Sequence, residues 1–170
     1  MGLFRKDKSE PAARFQMKEK LISIGDDYWI DDESGAHRYR VNGKAVRVRD
    51  TWVLEDPSGH EVATIRERKL SLRDAIKIEV GGREATVKKA LVGIRDRFHV
   101  EVDGGKDLKV HGNIVDHEYE IERDGHTIGK VSKKWFRVRD TYGVEVEELG
   151  DVVLVLAVTV AVDALAHDRG

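Results

Sequence analysis

The chain has 170 residues and no cysteine, with 30 basic residues against 32 acidic ones and a formal charge of −2. That length suits one domain with a substantial core, and the missing cysteines exclude disulfides and thiolate metal or redox chemistry. The near-neutral balance excludes a whole-surface attraction to nucleic acid or membrane, so no nucleic-acid partner is expected and any membrane contact must come from a local patch.

Residues 1–12 read as a disordered basic leader. They hold no apolar run of a secretory signal, and Lys6 stands where a myristoylated Gly2 would need Ser or Thr. A single domain is expected over 13–167. Phe15, Met17 and Leu21 open it with a first strand.

The chain then repeats itself. Asp26, Asp50, Asp74, Asp96, Asp116 and Asp140, spaced 24, 24, 22, 20 and 24 apart, each begin the same phrase of alternating apolar residues. Tyr28 and Ile30 follow the first aspartate, then Trp52 and Leu54, then Ile76, Ile78 and Val80. Phe98, Val100 and Val102 follow Asp96, and Tyr142, Val144 and Val146 follow Asp140. A period of two marks half-buried strands. Asp116 departs from the pattern: Tyr119 and Ile121 come one residue late, which predicts a bulge or a longer connection.

After the first five strands come turn residues around Gly35, Gly59, Gly81-Gly82, Gly104-Gly105 and Gly125. Six residues beyond the first glycine of each stands an aliphatic: Val41, Ile65, Val87, Val110 and Val131. Each unit is therefore a hairpin. Five hairpins and a single strand at either end give about twelve strands in up-and-down order, which favours closure into a barrel over long open edges.

The last segment, Val152 to Val162, is apolar on every side except Thr159, and Asp163 ends the run. It reads as a buried helix over about 151–166, with Asp151 as its N-cap; it is short of the roughly 20 residues of a membrane span. Size agrees with this. Twelve strands about 4.8 Å apart and tilted near 40° enclose roughly 24 Å, and inward side chains of about 6 Å leave a bore of about 12 Å. An α-helix is about 10–12 Å across.

Several stretches together resemble the LURP-one-related family, within the tubby C-terminal-like fold. They are Met17-Lys18-Glu19-Lys20-Leu21, Asp27 to Gly35, Val41-Asn42-Gly43-Lys44, Leu54 to Gly59, Lys69 to Asp74, Val131-Ser132-Lys133-Lys134-Trp135 and the closing Val152 to Asp163. The resemblance spans Arg14 to Asp163. It implies a twelve-stranded antiparallel barrel around a central C-terminal helix, related in fold to phospholipid scramblases. Tubby proteins bind phosphoinositide headgroups; the resemblance supplies no catalytic residues and no lipid-binding motif that transfers residue by residue.

The densest positive charge is Lys130, Lys133, Lys134, Arg137 and Arg139, with Trp135 interleaved. In the repeat register Lys89 aligns with Lys133, so Lys88 and Lys89 are expected on the same barrel rim. Such a rim, with Trp135 as interfacial anchor, would meet anionic phospholipid or phosphoinositide at about 1 kcal/mol per basic residue. The competing reading is a solvated rim of weak ion pairs on a domain whose partner is another protein. Repetition makes Arg49-Asp50, Arg73-Asp74, Arg95-Asp96 and Arg139-Asp140 structural rather than catalytic. His60 and His126 belong to exposed turns, and the His111 and His117 spacing matches no ligand motif. Phosphate-loop and nucleophile-elbow motifs are absent. The expectation is a non-enzymatic, monomeric protein without cofactor or metal, in the cytoplasm or at the membrane periphery. Its helix-filled barrel should leave no usual lumen for a small ligand.

Overall fold

Antiparallel pairing runs unbroken through twelve strands of the computed structural model, which describes residues 10–18, 28–42, 51–70, 73–89, 97–136 and 140–167. In chain order they are β1 (Ala13–Lys18), β2 (Tyr28–Asp32), β3 (His37–Asn42), β4 (Thr51–Glu55), β5 (Glu61–Leu70) and β6 (Arg73–Val80). There follow β7 (Arg83–Lys89), β8 (Arg97–Val102), β9 (Leu108–Asn113), β10 (Glu118–Arg123), β11 (His126–Ser132) and β12 (Thr141–Val146). Each strand pairs with the next, and β1 pairs with both β2 and β12. The barrel is closed. The expected leader lies mostly outside the described residues.

The alternation read from sequence is the inside–outside alternation of the wall. Ile30, Leu54, Ile76, Ile78, Val100, Ile121 and Val144 are fully buried, as are the aliphatics beyond the turns, from Val41 to Val131. Two hairpin turns share one chemistry. Asp32 Oδ1 accepts from the Ser34 and Ala36 N–H groups at 2.9 and 3.0 Å, and Asp56 Oδ1 from Ser58 and His60 at the same distances. The Ser34 hydroxyl and then the Arg38 guanidinium hold the Asp32 carboxyl well below the usual carboxylate range. Gly81 and Gly82 both adopt positive φ, as do Asp124 and Gly125, the turn that matches strand twist in two-residue hairpins.

All five hairpin turns lie at one end of the barrel, the turn end, and the strand ends that lead from one hairpin to the next lie at the other, the crossover end. Helix α1 (Val152–His167) starts at the turn end and threads the bore. Ten consecutive residues, Val155 to Ala164, are buried. The stretch Leu149–Ala166 has a mean hydropathy of 2.2, apolar enough by composition to cross a membrane, yet it satisfies that surface inside its own barrel. One expectation changes. Asp151 belongs to a short 3-10 turn, Leu149–Asp151, and its carboxylate is taken by the Arg123 guanidinium at 2.9 and 3.1 Å rather than capping α1.

The helix packs chiefly along β5 and β6, while at β11 it meets a bare stretch of backbone. A Cβ added to Gly129 would stand 2.8 Å from Val155 Cγ1, so only glycine admits the helix at this depth. Gly129→Ala is predicted to cost about 1–3 kcal/mol by overpacking. In chemical denaturation, Val155→Ala should cost less in the Gly129→Ala background than in the parent. Equal costs in both backgrounds would show that the two positions do not meet.

Candidate functional site at the crossover end

The end of β11 carries Ser132 into a 3-10 turn, Lys133–Trp135. Ser132 caps it, its hydroxyl oxygen accepting the Lys134 N–H at 3.1 Å. Glu118 Oε1 in turn accepts the Ser132 hydroxyl at 2.9 Å and the Lys133 N–H at 3.1 Å, tying the turn to the start of β10. Lys133 and Lys134 are exposed, while Trp135 and Phe136 are half-buried. Both aromatic rings fold onto the outer face of β12, where Gly143 has no side chain to keep them away: a Cβ there would lie 2.7 Å from Trp135 Cε3. Part of Trp135 is thus spent on the barrel wall. Lys134 makes no ion pair among the described residues.

The other candidate cations are dispersed. Lys130 points from the outer wall to Glu120, 3.6 Å away. Lys88 pairs with Glu101 at 3.3 Å, and Lys89 ends β7 on the inward register of Ala85 and Val87. Lys88 and Lys89 share the crossover end with Lys133 and Lys134 but stand four strands away around the wall. Arg137 and Arg139 lie outside the described residues. On the outer wall, His111, Glu120 and Glu122 bring ligand atoms within 4.8 Å of one another. His111 Nε2 sits 2.8 Å from Glu122, while Lys130 faces Glu120. The trio is a partly exposed cross-strand ion-pair lattice.

Beneath the rim lies a buried polar cluster that sequence reasoning missed. Asp163, on the last buried turn of α1, accepts the Tyr142 hydroxyl at 2.5 Å. His117 Nε2 is 3.6 Å from the same carboxylate, and its ring stacks on Tyr142 at 4.3 Å between centroids. Burial first, then the charge of Asp163, push the phenols of Tyr28, Tyr119 and Tyr142 well above their ordinary value. His117 is the extra residue that delays Tyr119. It adopts φ 53°, a left-handed conformation that turns the ring inward instead of out to solvent. Two signals were present in the chain: the slipped repeat at Asp116, and an aspartate closing an oily run.

Comparison with known proteins agrees over nearly the whole barrel. A profile of the LURP-one-related family matches residues 13–163. The uncharacterized protein YxjI of Bacillus subtilis (strain 168) is 24% identical over 152 residues, covering 89% of this chain and 93% of that protein. A crystal structure of an Arabidopsis thaliana protein superposes with a TM-score of 0.67 at 18% identity, covering 93% of this chain and 94% of the other. At that identity the superposition speaks for the fold alone.

The tyrosines give this end a measurable signature. Below about pH 10 the phenols are neutral in both folded and unfolded chains; above it the unfolded chain loses protons that the folded one keeps, so stability falls as pH rises. Of the four tyrosines, only half-buried Tyr39, moderately raised by burial, should titrate on the folded protein. In a phenolate absorbance titration the other three should ionise together with loss of the far-UV circular dichroism signal. Four ionisations near pH 10 with the barrel intact would contradict the buried cluster.

Proposed function

This chain belongs to the LURP-one-related family, and we propose that it is a non-enzymatic binding module that docks on anionic phospholipid or phosphoinositide through the crossover rim. One observation carries the reading. Lys133 and Lys134 stand exposed on a short, internally capped turn, beside two aromatic rings that are only partly covered. The turn holds no acidic residue. Lys134 has no ion pair among the described residues to forfeit on meeting a phosphate.

The supporting physics is that of a small patch rather than a whole surface. Each cation near an anionic leaflet contributes about 1 kcal/mol, and the attraction fades within a Debye length. Trp135 and Phe136 add an apolar edge at the height where interfacial aromatic residues are favoured. Lys88 and Lys89, four strands away, serve as a second arc of the same rim, one that a curved or deeply engaged surface would reach.

Co-sedimentation with vesicles tests the reading. Vesicles containing phosphatidylserine or phosphoinositide should pellet the protein, and phosphatidylcholine vesicles should not. Lys133→Glu with Lys134→Glu should weaken partitioning at least about thirtyfold, the equivalent of about 2 kcal/mol, without lowering the thermal midpoint. Equal recovery with neutral and anionic vesicles, or unchanged binding after charge reversal, would remove the lipid reading.

A further inference from the structure

We propose a second binding site at the opposite, turn end of the barrel, one that takes a small amphipathic anion such as a medium-chain alkyl carboxylate or alkyl phosphate. It goes beyond the rim reading and is independent of it. Where α1 enters the bore, a cleft of about 310 Å³ opens between the start of the helix and the turn ends of β6, β7 and β8. The sequence suggested that a helix-filled barrel leaves no room for a small ligand, and α1 does occupy the bore. That expectation does not hold at this mouth.

Small residues make the cleft. Ala85, Gly105 and Gly150 all line it, and a Cβ placed on Gly150 would touch nothing within 4 Å. Three apolar side chains facing the space, Val80, Val102 and Leu154, are left half-buried, whereas Ile78 and Val100 one step deeper are fully covered. An apolar tail laid there would complete the coverage that the core otherwise achieves. At roughly 30 Å³ per non-hydrogen atom, the share of a water molecule in the liquid, 310 Å³ holds about ten such atoms. Octanoate has that number.

The sign of the headgroup follows from the lining charges. Arg83, Lys106 and Arg123 are there, against Glu84 and Asp151. Both acids are already engaged: Asp151 by Arg123, and Glu84 by Lys77 at 2.7 Å. Lys106 pairs with Asp124. Arg83 is exposed and makes no ion pair among the described residues, so it is the uncompensated charge at the mouth. Gly150 and Asp151 bring the amino-terminal end of α1 to the cleft as well, and its dipole adds to the positive potential. A cation would meet Arg83 unscreened, and an uncharged alkane would leave it without a partner.

Titration calorimetry and amide chemical-shift mapping on the whole chain test the site with octanoate and octyl phosphate. Butyrate serves as the short-tail control and octyltrimethylammonium as the opposite-charge control. Octanoate and octyl phosphate should bind saturably and shift the amides of Val80, Val102 and Leu154; butyrate and the cation should bind at least about tenfold more weakly. Arg83→Glu should weaken octanoate binding about tenfold or more, the scale of one charge-assisted hydrogen bond. Val102→Trp, placed at the half-exposed mouth, should block the cleft and abolish binding. Lys133→Glu with Lys134→Glu should leave octanoate binding unchanged, which separates this site from the rim. No saturable binding below the micellar range, equal binding of octyltrimethylammonium, or an unaltered affinity in Arg83→Glu would each overturn the proposal.

Discussion

A helix apolar on all sides and a barrel with an apolar bore each expose a surface that water penalises, and each is the other's remedy. From Val155 to Ala164 the helix has no solvent-facing side. Full burial of a valine or leucine is worth about 1.5–3 kcal/mol, so Val155, Leu156, Val158, Val160 and Val162 together contribute on the order of 10 kcal/mol. That is comparable to the whole net stability of an ordinary domain. The barrel is in effect a core wrapped around one rod. Without the rod, inward residues such as Ile65, Ile76 and Val144 would line a wet channel.

Uniform oiliness leaves a problem of alignment, because such a helix has no apolar face to set its rotation or depth. Polar ties at its two ends supply that information. Asp151 is gripped by Arg123 at the turn end, and Asp163 takes the Tyr142 hydroxyl at the crossover end. The two aspartates stand about 18 Å apart along the axis, at 1.5 Å per residue. Gly129 sets the third constraint by admitting Val155 to the β11 backbone. A buried polar group is a poor source of stability but a good source of register, and the cluster around Asp163 fits that role. It also links the core to the surface: His117 packs on Tyr142, and the neighbouring Glu118 holds the turn that presents Lys133 and Lys134.

Much of this architecture was legible in the chain because it rests on local rules repeated many times. Alternation from Tyr28 to Val146, glycine at each turn and an aliphatic six residues later are each short-range signals. The helical plug followed from a run apolar on every side, with the size of the bore in agreement. What sequence could not deliver were convergences. His117 reads as a loop histidine until its left-handed backbone aims it at Asp163, some forty-six residues away in the chain. Lys130 and Lys88 belong to basic runs, but cross-strand Glu120 and Glu101 meet them on the wall. Lys89 and Lys133 align in the repeat, yet closing the barrel puts four strand positions between them. Trp135 reads as a free anchor because nothing in its neighbourhood announces that Gly143 will receive it. The turn-end cleft is likewise a product of three small residues, Ala85, Gly105 and Gly150, that only the closed barrel gathers.

Native-state hydrogen exchange along α1 tests the central claim most directly. If the barrel folds around the rod as one cooperative unit, the amides of Val155 to Ala164 exchange only through global unfolding, with the same opening free energy as the slowest amides of the strands. Exchange of those helix amides orders of magnitude faster than that of the strands, with the wall still protected, would mean that the helix leaves a barrel able to stand without it.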